Sequence, residues 1–236
     1  MTATVTPQAY WLTVALAAFA CIVLCLVARR HPGAWRVTTA RLIGCALGVD
    51  VVAYSVGEIV HGTWSATSSL PLALCDIGAL VAAVACWWRL PILVELTYFW
   101  GLAGTLQAVI TPDLNVGFPH LVFFEYLDGH LGIVFAALFL VVGMELHPRM
   151  GATPRVFAIT AVYTAFVGLI DGVSGANYMF LRRPPGEWTL LRLLGPWPWY
   201  TFSAAAVALI LFTLLDLPFW NERRDVQTSR VMLTGQ

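Results

Sequence analysis

Long apolar stretches separated by short polar breaks constrain this sequence more than any other feature. A helix needs about 20 apolar residues to cross the hydrocarbon core of a bilayer, and seven stretches reach or approach that length. We predict spans at about 10–27, 42–60, 69–87, 91–110, 121–142, 156–173 and 199–217. The expected fold class is all-α, a polytopic membrane bundle of seven helices that forms one transmembrane domain over residues 1–236.

The charge content also favours a membrane environment. Of the 236 residues, 59% are hydrophobic and 11% are charged, whereas roughly a quarter of the residues of a soluble domain are charged. Thirteen basic residues balance thirteen acidic ones, so no net charge indicates nucleic acid, and membrane lipids are the expected partners. The sequence contains no lysine, which excludes retinal or pyridoxal Schiff bases because both need a lysine amine. We expect no cofactor.

The distribution of arginines predicts the orientation. With the N-terminus outside and the C-terminus in the cytoplasm, ten arginines fall on the cytoplasmic side and three fall outside, as the positive-inside rule requires. No basic residue precedes the first span, so it does not resemble a cleavable leader. Residues 177–198 are expected to be external, either as a short helix in the headgroup region or as an aromatic belt. Residues 221–236 are expected to form a cytoplasmic tail.

Polar residues inside the spans are the best functional markers, because a charge in mid-membrane costs about 3 kcal/mol. Asp50, Tyr54 and Glu58 recur every four residues and so share one helical face. We favour a hydrated cavity there, open to the external leaflet, over simple helix packing. Glu95, near the inner end, is expected to be solvated or to snorkel at the helix terminus. Further candidates for the cavity or for lipid binding are Gln107, His120, Tyr126, Asn177, Arg182 and Arg183.

The sequence signal for a metal site in the external loop is weak. His120 lies near Asp113 and Asn115, but their spacing matches no ligand motif. We therefore predict no metal.

Cys75 and His130 form the sharpest pair in the sequence. From the helical rise, Cys75 lies about 9 Å and His130 about 12 Å from the outer ends of their spans. Both spans run inward, so the two side chains could meet at one level. On its own, however, a cysteine is usually a small buried hydrophobe, and a histidine often serves only to hydrogen-bond helices together.

The surroundings of the pair are also predicted. Cys75 shares a helical face with small residues, which indicates tight inward packing; these are Gly78, Ala79, Ala82 and Cys86. Asp128 lies nearly opposite His130 on its own helix. A carboxylate that orients His130 must then come from another helix, with Asp76, Asp50 and Glu58 as candidates.

Four stretches carry a family resemblance. They are LPLALCDIGAL at 70–80, YFWGLAGTLQAVITPDL at 98–114, FPHLVFFEYLDGH at 118–130, and NYMFL at 177–181 with LLGPWPWY at 193–200. Through them the sequence resembles the YwaF family of bacterial integral membrane proteins, which is related to the eukaryotic transmembrane protein 164 family. The similarity covers predicted spans three to seven and implies a location in the bacterial cytoplasmic membrane.

The resemblance implies a phospholipid acyltransferase in which a cysteine takes up a fatty acyl group. The matching positions are Cys75 as the nucleophile and His130 as its partner, and Asp76 adjoins the cysteine. The alternative is a proton-linked transporter or small-molecule-binding protein that uses Asp50, Glu58, His61 and His130 without covalent chemistry. No repeated half or pair of broken helices, the usual marks of a transporter, is evident in the sequence.

Overall fold

The structure, a computed structural model, describes residues 7–112, 118–184 and 190–234. Its long helices are α1 (Pro7–Arg30), α2 (Trp35–Val60), α3 (Leu74–Trp88), α4 (Pro91–Ile110), α5 (Leu121–Leu138, continued as a π-helix over Phe139–Gly143), α6 (Ala152–Ser174) and α7 (Trp199–Thr234). A π-helical turn, Trp100–Thr105, interrupts α4. Two 3₁₀ turns cover Tyr178–Phe180 and Leu190–Leu194.

Six of these helices are long and apolar enough to cross a membrane. Large apolar side chains on their outer surfaces, such as Phe19, Leu169 and Phe202, are exposed. Because exposed apolar surface on this scale is rare in water-soluble monomers, the chain is an all-helical membrane protein. This part of the prediction is confirmed.

The third predicted span, 69–87, is helical only from Leu74 to Trp88. Fifteen residues rise about 22 Å, which is less than the hydrocarbon thickness. The preceding backbone makes tertiary hydrogen bonds instead of helical ones, because tyrosines from α6 and the segment after it bond to it. The bounds of this segment matter for the site described below.

The two ends of the bundle are defined by their contacts. At one end, the Tyr10 hydroxyl donates a 2.8 Å hydrogen bond to the Val109 carbonyl, and its ring packs edge-on against Phe123. The start of α1, the end of α4 and the start of α5 therefore meet there. We call this end the Tyr10 face, and the opposite end the Glu95 face.

Small residues bring α2 and α3 close together. A Cβ atom at Gly44 would lie 2.8 Å from the Ala83 carbonyl oxygen and 2.9 Å from the Cys86 Cβ. Ala79, Ala82 and Cys86 are buried, so the predicted small face of α3 does pack inward.

Ion pairs with buried carboxylates lie at the Glu95 face. Glu95 is 1% exposed, and its carboxylate accepts hydrogen bonds from Arg149 Nε at 2.8 Å and Arg155 Nε at 2.9 Å. The bond to Glu95 also raises the pKa of the Arg149 guanidinium. Asp216 and Arg223 form a second pair at this face. The expectation that Glu95 is solvated is therefore wrong, because arginines more than 50 residues away in sequence fold over it.

Candidate active site

The irregular segment that leads into α3 is held in place by two tyrosines. The Tyr178 hydroxyl donates to the Ala66 carbonyl at 3.1 Å and accepts from the Leu70 N–H at 3.0 Å. The Tyr163 hydroxyl donates to the Leu72 carbonyl at 3.0 Å. These bonds satisfy backbone groups that a helix would otherwise pair internally, and they fix the point at which α3 begins.

Cys75 is the second residue of α3. The N-cap residue, Ala73, has an extended backbone and supplies no side-chain cap. The first N–H groups of a helix have no intrahelical acceptor, and their partial positive charge stabilises an anion such as a thiolate. The helical-rise argument for the depth of Cys75 does not apply, since the helix begins only one residue before it.

Helix contacts set the register between Cys75 and His130. A Cβ at Gly78 on α3 would lie 3.8 Å from Ile133 Cδ1 on α5, and a Cβ at Gly101 on α4 would lie 3.3 Å from Ile133 Cγ2. The three helices therefore contact one another in this layer.

The next layer toward the Tyr10 face follows from the helix directions. On the parallel helices α3 and α5, Cys75 lies three residues before Gly78, and His130 lies three residues before Ile133. Thr105 lies four residues after Gly101 on the antiparallel α4. Positions three or four apart share a helical face, so these three residues occupy one layer, one turn above the contact.

Thr105 borders the cysteine directly. Its side chain lies close enough to Cys75 to interact with it, although the contact does not meet the geometry of a hydrogen bond. Thr105 is fully buried, and Cys75 is partly buried.

The imidazole of His130 is oriented from within its own helix. Nδ1 lies 2.7 Å from the Tyr126 carbonyl oxygen. A carbonyl can only accept, so Nδ1 carries the hydrogen and Nε2 keeps its lone pair in the neutral ring. The Tyr126 ring stacks on His130 with centroids 4.3 Å apart, and the Tyr126 hydroxyl donates to the Ala108 carbonyl on α4. The acceptor that orients His130 is therefore the backbone carbonyl of Tyr126.

The carboxylates considered as orienting groups for His130 make other described contacts. Asp76 approaches the backbone of Ala73, the N-cap residue of α3, and lies within electrostatic reach of Glu58. Tyr54 and Glu58 approach each other at 3.5 Å, and one Glu58 oxygen, Oε2, is buried without a hydrogen-bond partner among the described side chains and backbone groups. Among the described ion pairs, none joins a carboxylate to His130.

Asp50 lies in a separate groove between α1, α2 and α5. The groove has a volume of about 620 Å³, and Glu125 and Asp128 line it together with Asp50. Beyond Asp50 its lining is apolar, as at Ile43 and Phe135. The polar stripe on α2 therefore serves two places, with Asp50 in this groove and Glu58 near the start of α3.

The remaining candidates shape the Tyr10 face. His120 caps α5 by accepting a hydrogen bond from the Val122 N–H. The Asn177 amide accepts from the backbone N–H groups of Arg182 and Arg183. The Arg182 guanidinium donates to the Asp171 and Ala176 carbonyls, yet both arginines stay exposed. Gln107 lies half-buried in the last turn of α4.

Part of the expected external segment lies outside the described residues. Trp188, and Asp113 and Asn115 of the preceding external loop, belong to the ranges that the structure leaves out. Within the described part, Leu193, Trp197 and Trp199 are exposed at this end of the bundle.

Two residues of this end were not among the site residues predicted from the sequence. Thr105 lies in the stretch 98–114 that carries part of the family resemblance. A π-helical turn, however, has no reliable sequence signal. Asp171 is fully buried and accepts a 2.9 Å hydrogen bond from the Tyr178 N–H. Its position seven residues before a tyrosine in a glycine-rich stretch was the available hint.

The fold and the site define a class: a polytopic helical membrane protein with a cysteine, a histidine and a threonine in one layer near one end of the bundle. The TMEM164 family pattern matches residues 3–216, so the chain belongs to the TMEM164 family. This confirms the related-family part of the resemblance, and the YwaF relationship stays a prediction.

A relative gives little further information about function. The chain is 26% identical over 178 residues, 73% of each chain, to an uncharacterized protein of Treponema pallidum (strain Nichols). No solved structure matches the chain.

Proposed function

We propose that the protein is an intramembrane phospholipid acyltransferase that carries the acyl group on Cys75. The observation that supports this most is the shared layer: Cys75 lies in the first turn of α3, and His130 lies at the same level of the adjacent parallel helix. Membership of the TMEM164 family agrees with a membrane protein of this type.

The acylation step begins with proton transfer from the Cys75 thiol to His130 Nε2. The thiolate attacks the carbonyl carbon of a phospholipid ester; a C–S bond forms, and the carbonyl electron pair moves to oxygen as an oxyanion. The oxyanion then re-forms the carbonyl and breaks the ester C–O bond. The leaving alkoxide takes the proton from His130, which leaves an acyl thioester and a lysophospholipid.

The transfer step reverses these roles. A hydroxyl of the acceptor lipid gives its proton to His130 and attacks the thioester carbon. The C–S bond breaks, and the Cys75 thiolate recovers a proton from His130. The hydrogen bond from Nδ1 to the Tyr126 carbonyl holds the tautomer that this shuttle needs.

The placement in the membrane is part of the proposal. We place the Tyr10 face outside and the Glu95 face, with Arg149, Arg155 and Arg223, in the cytoplasm of a bacterium, following the positive-inside rule. The segment before α3 then completes a seventh crossing. Non-helical backbone is tolerated at membrane depth where protein surrounds it, as Tyr163 and Tyr178 do here.

In this orientation the lipid enters from the outer leaflet. Arg182 and Arg183 are exposed at the Tyr10 face, and a guanidinium binds phosphate in a bidentate manner. We assign them to the headgroup phosphate, near the ester that Cys75 attacks.

The test uses membranes that contain phosphatidylcholine with an alkyne-tagged acyl chain. The wild type and a Cys86→Ala control, which alters a buried cysteine on the same helix, should form a tagged, hydroxylamine-sensitive adduct. Cys75→Ala should form none. Equal labelling of Cys75→Ala and the control removes the nucleophile from the proposal.

A second candidate is a small-molecule binder or proton-linked transporter, and the groove with Asp50, Glu125 and Asp128 favours it. The apolar lining beyond Asp50 offers protons no continuing polar path. This alternative predicts a function that is lost in Asp50→Asn and unaffected in Cys75→Ala, the reverse of the outcome expected above.

A further inference from the structure

The hydroxyl of Thr105 is bonded differently from other helical threonines. In the interior of a helix, a threonine hydroxyl usually bonds to the carbonyl four residues earlier. Thr97, Thr160 and Thr213 all do so at 2.8 Å. Thr105 Oγ1 is fully buried and has no hydrogen-bond partner among the residues that the structure describes.

The π-helical turn explains this difference. The acceptor four residues before Thr105 is the Gly101 carbonyl, and that carbonyl accepts from the Leu106 N–H, five residues further on. The wider turn therefore changes the local register around the threonine. A π-helical turn within an α-helix frequently marks a functional site, and a buried polar group without a partner requires an explanation.

The side chain that Thr105 borders is Cys75. We propose that the Thr105 hydroxyl is the oxyanion donor of the acyl-transfer reaction, an assignment that rests on the proposed function. The carbon that becomes tetrahedral is bonded directly to the cysteine sulfur, and the oxyanion is bonded to that carbon. A donor beside the sulfur is therefore within reach of the developing negative charge.

The resting state of the hydroxyl suits this role. Because Thr105 has no hydrogen-bond acceptor within the described part of the chain, no described hydrogen bond breaks when the oxyanion forms. Donors that are held in place before the reaction stabilise a transition state without reorganisation. His130 acts on protons, and Thr105 acts on the oxyanion in both the acylation and the transfer steps.

The test compares two reactions of Cys75 in the full chain in detergent. Acylation by para-nitrophenyl laurate passes through an oxyanion, whereas alkylation by iodoacetamide does not. In Thr105→Val we expect acylation to slow about 100-fold and alkylation to stay within about twofold of the wild type. Thr105→Ser keeps the hydroxyl and should acylate at close to the wild-type rate.

Thr97→Val is the matched control, because Thr97 lies on the same helix, is also fully buried, and bonds to the Leu93 carbonyl. It should change neither rate. Unchanged acylation in Thr105→Val, or an equal fall in acylation and alkylation, overturns the assignment. A Cys75→Ala protein that still transfers acyl groups contradicts the proposed function itself and removes the assignment with it, a result distinct from either outcome at Thr105.

Discussion

The two ends of the bundle differ in whether their buried polar groups have partners. At the Glu95 face, the carboxylates of Glu95 and Asp216 are paired with arginines. At the Tyr10 face, Glu58 Oε2, Thr105 Oγ1 and Asp171 Oδ2 are buried without a partner in the described ranges. Among the described residues only one further atom of this kind is found, Arg36 Nε, and it lies at the Glu95 face.

This difference separates a scaffold from a site. At one end, Glu95 on α4 pairs with Arg149 and with Arg155 on α6. Arg223 on α7 donates to the Arg149 carbonyl. Unpaired polar atoms at the other end are unfavourable for folding. The bundle thus combines an end held together by ion pairs with an end where buried polar atoms lack described partners.

Removing the shared carboxylate of the ion pairs at the Glu95 face should have the largest effect on stability. Glu95→Ala leaves Arg149 and Arg155 without their shared carboxylate, and we expect a loss of about 3 kcal/mol in the free energy of unfolding. Denaturant unfolding in detergent measures it.

Glu145→Ala is the control for this variant. The Glu145 carboxylate pairs with Arg29 at 3.6 Å on the surface, and exposed pairs contribute less than about 1 kcal/mol. Similar losses in the two variants mean that the buried ion-pair cluster does not hold the Glu95 face together.

The helix contact beneath the site should be the next most sensitive. In Gly44→Ala, the new Cβ meets the Ala83 carbonyl oxygen at 2.8 Å, so α2 and α3 must separate. We expect a loss of about 2 kcal/mol, measured by thermal unfolding in detergent.

Gly48→Ala, one turn along the same helix, provides the comparison. A Cβ at Gly48 has nothing within 4 Å, and alanine favours helix over glycine. This variant should be neutral or slightly more stable. A loss equal to that of Gly44→Ala rules out close packing as the cause.

The loss of one tyrosine hydroxyl at each end, Tyr178 or Tyr98, should have a smaller effect on stability. Tyr178→Phe removes the bonds to Ala66 and Leu70 before α3, and Tyr98→Phe removes the bond to the Leu215 carbonyl. Each should cost about 1 kcal/mol of stability. Only Tyr178→Phe should also slow the acylation of Cys75, because it loosens the start of α3. Equal acylation rates in the two variants contradict the positioning role of Tyr178.

The sequence predicted the apolar helices and the small face of α3 well, since both follow from local periodicity. It misjudged Glu95, because the partners Arg149 and Arg155 lie 54 and 60 residues away. It also extended the third span over residues 69–73, where tertiary bonds from Tyr163 and Tyr178 replace helical ones.

The candidate site was only partly predictable. Cys75 and His130 were visible as polar or reactive residues in apolar stretches, and their shared layer follows from Gly78 and Ile133 packing together. The orienting group of His130 was sought among carboxylates because a carbonyl on the same helix leaves no mark in the sequence. Thr105 was hidden for a similar reason, since the π-helical turn that changes its bonding depends on backbone geometry.

The central claim is that His130 activates Cys75, and the alkylation rate of Cys75 at pH 7 tests it most directly. Peptide mass spectrometry after timed iodoacetamide treatment follows this one cysteine in the wild type and in His130→Gln. If His130 takes the thiol proton, the variant should react at least about tenfold more slowly. Equal rates in the two proteins contradict the pairing of cysteine and histidine.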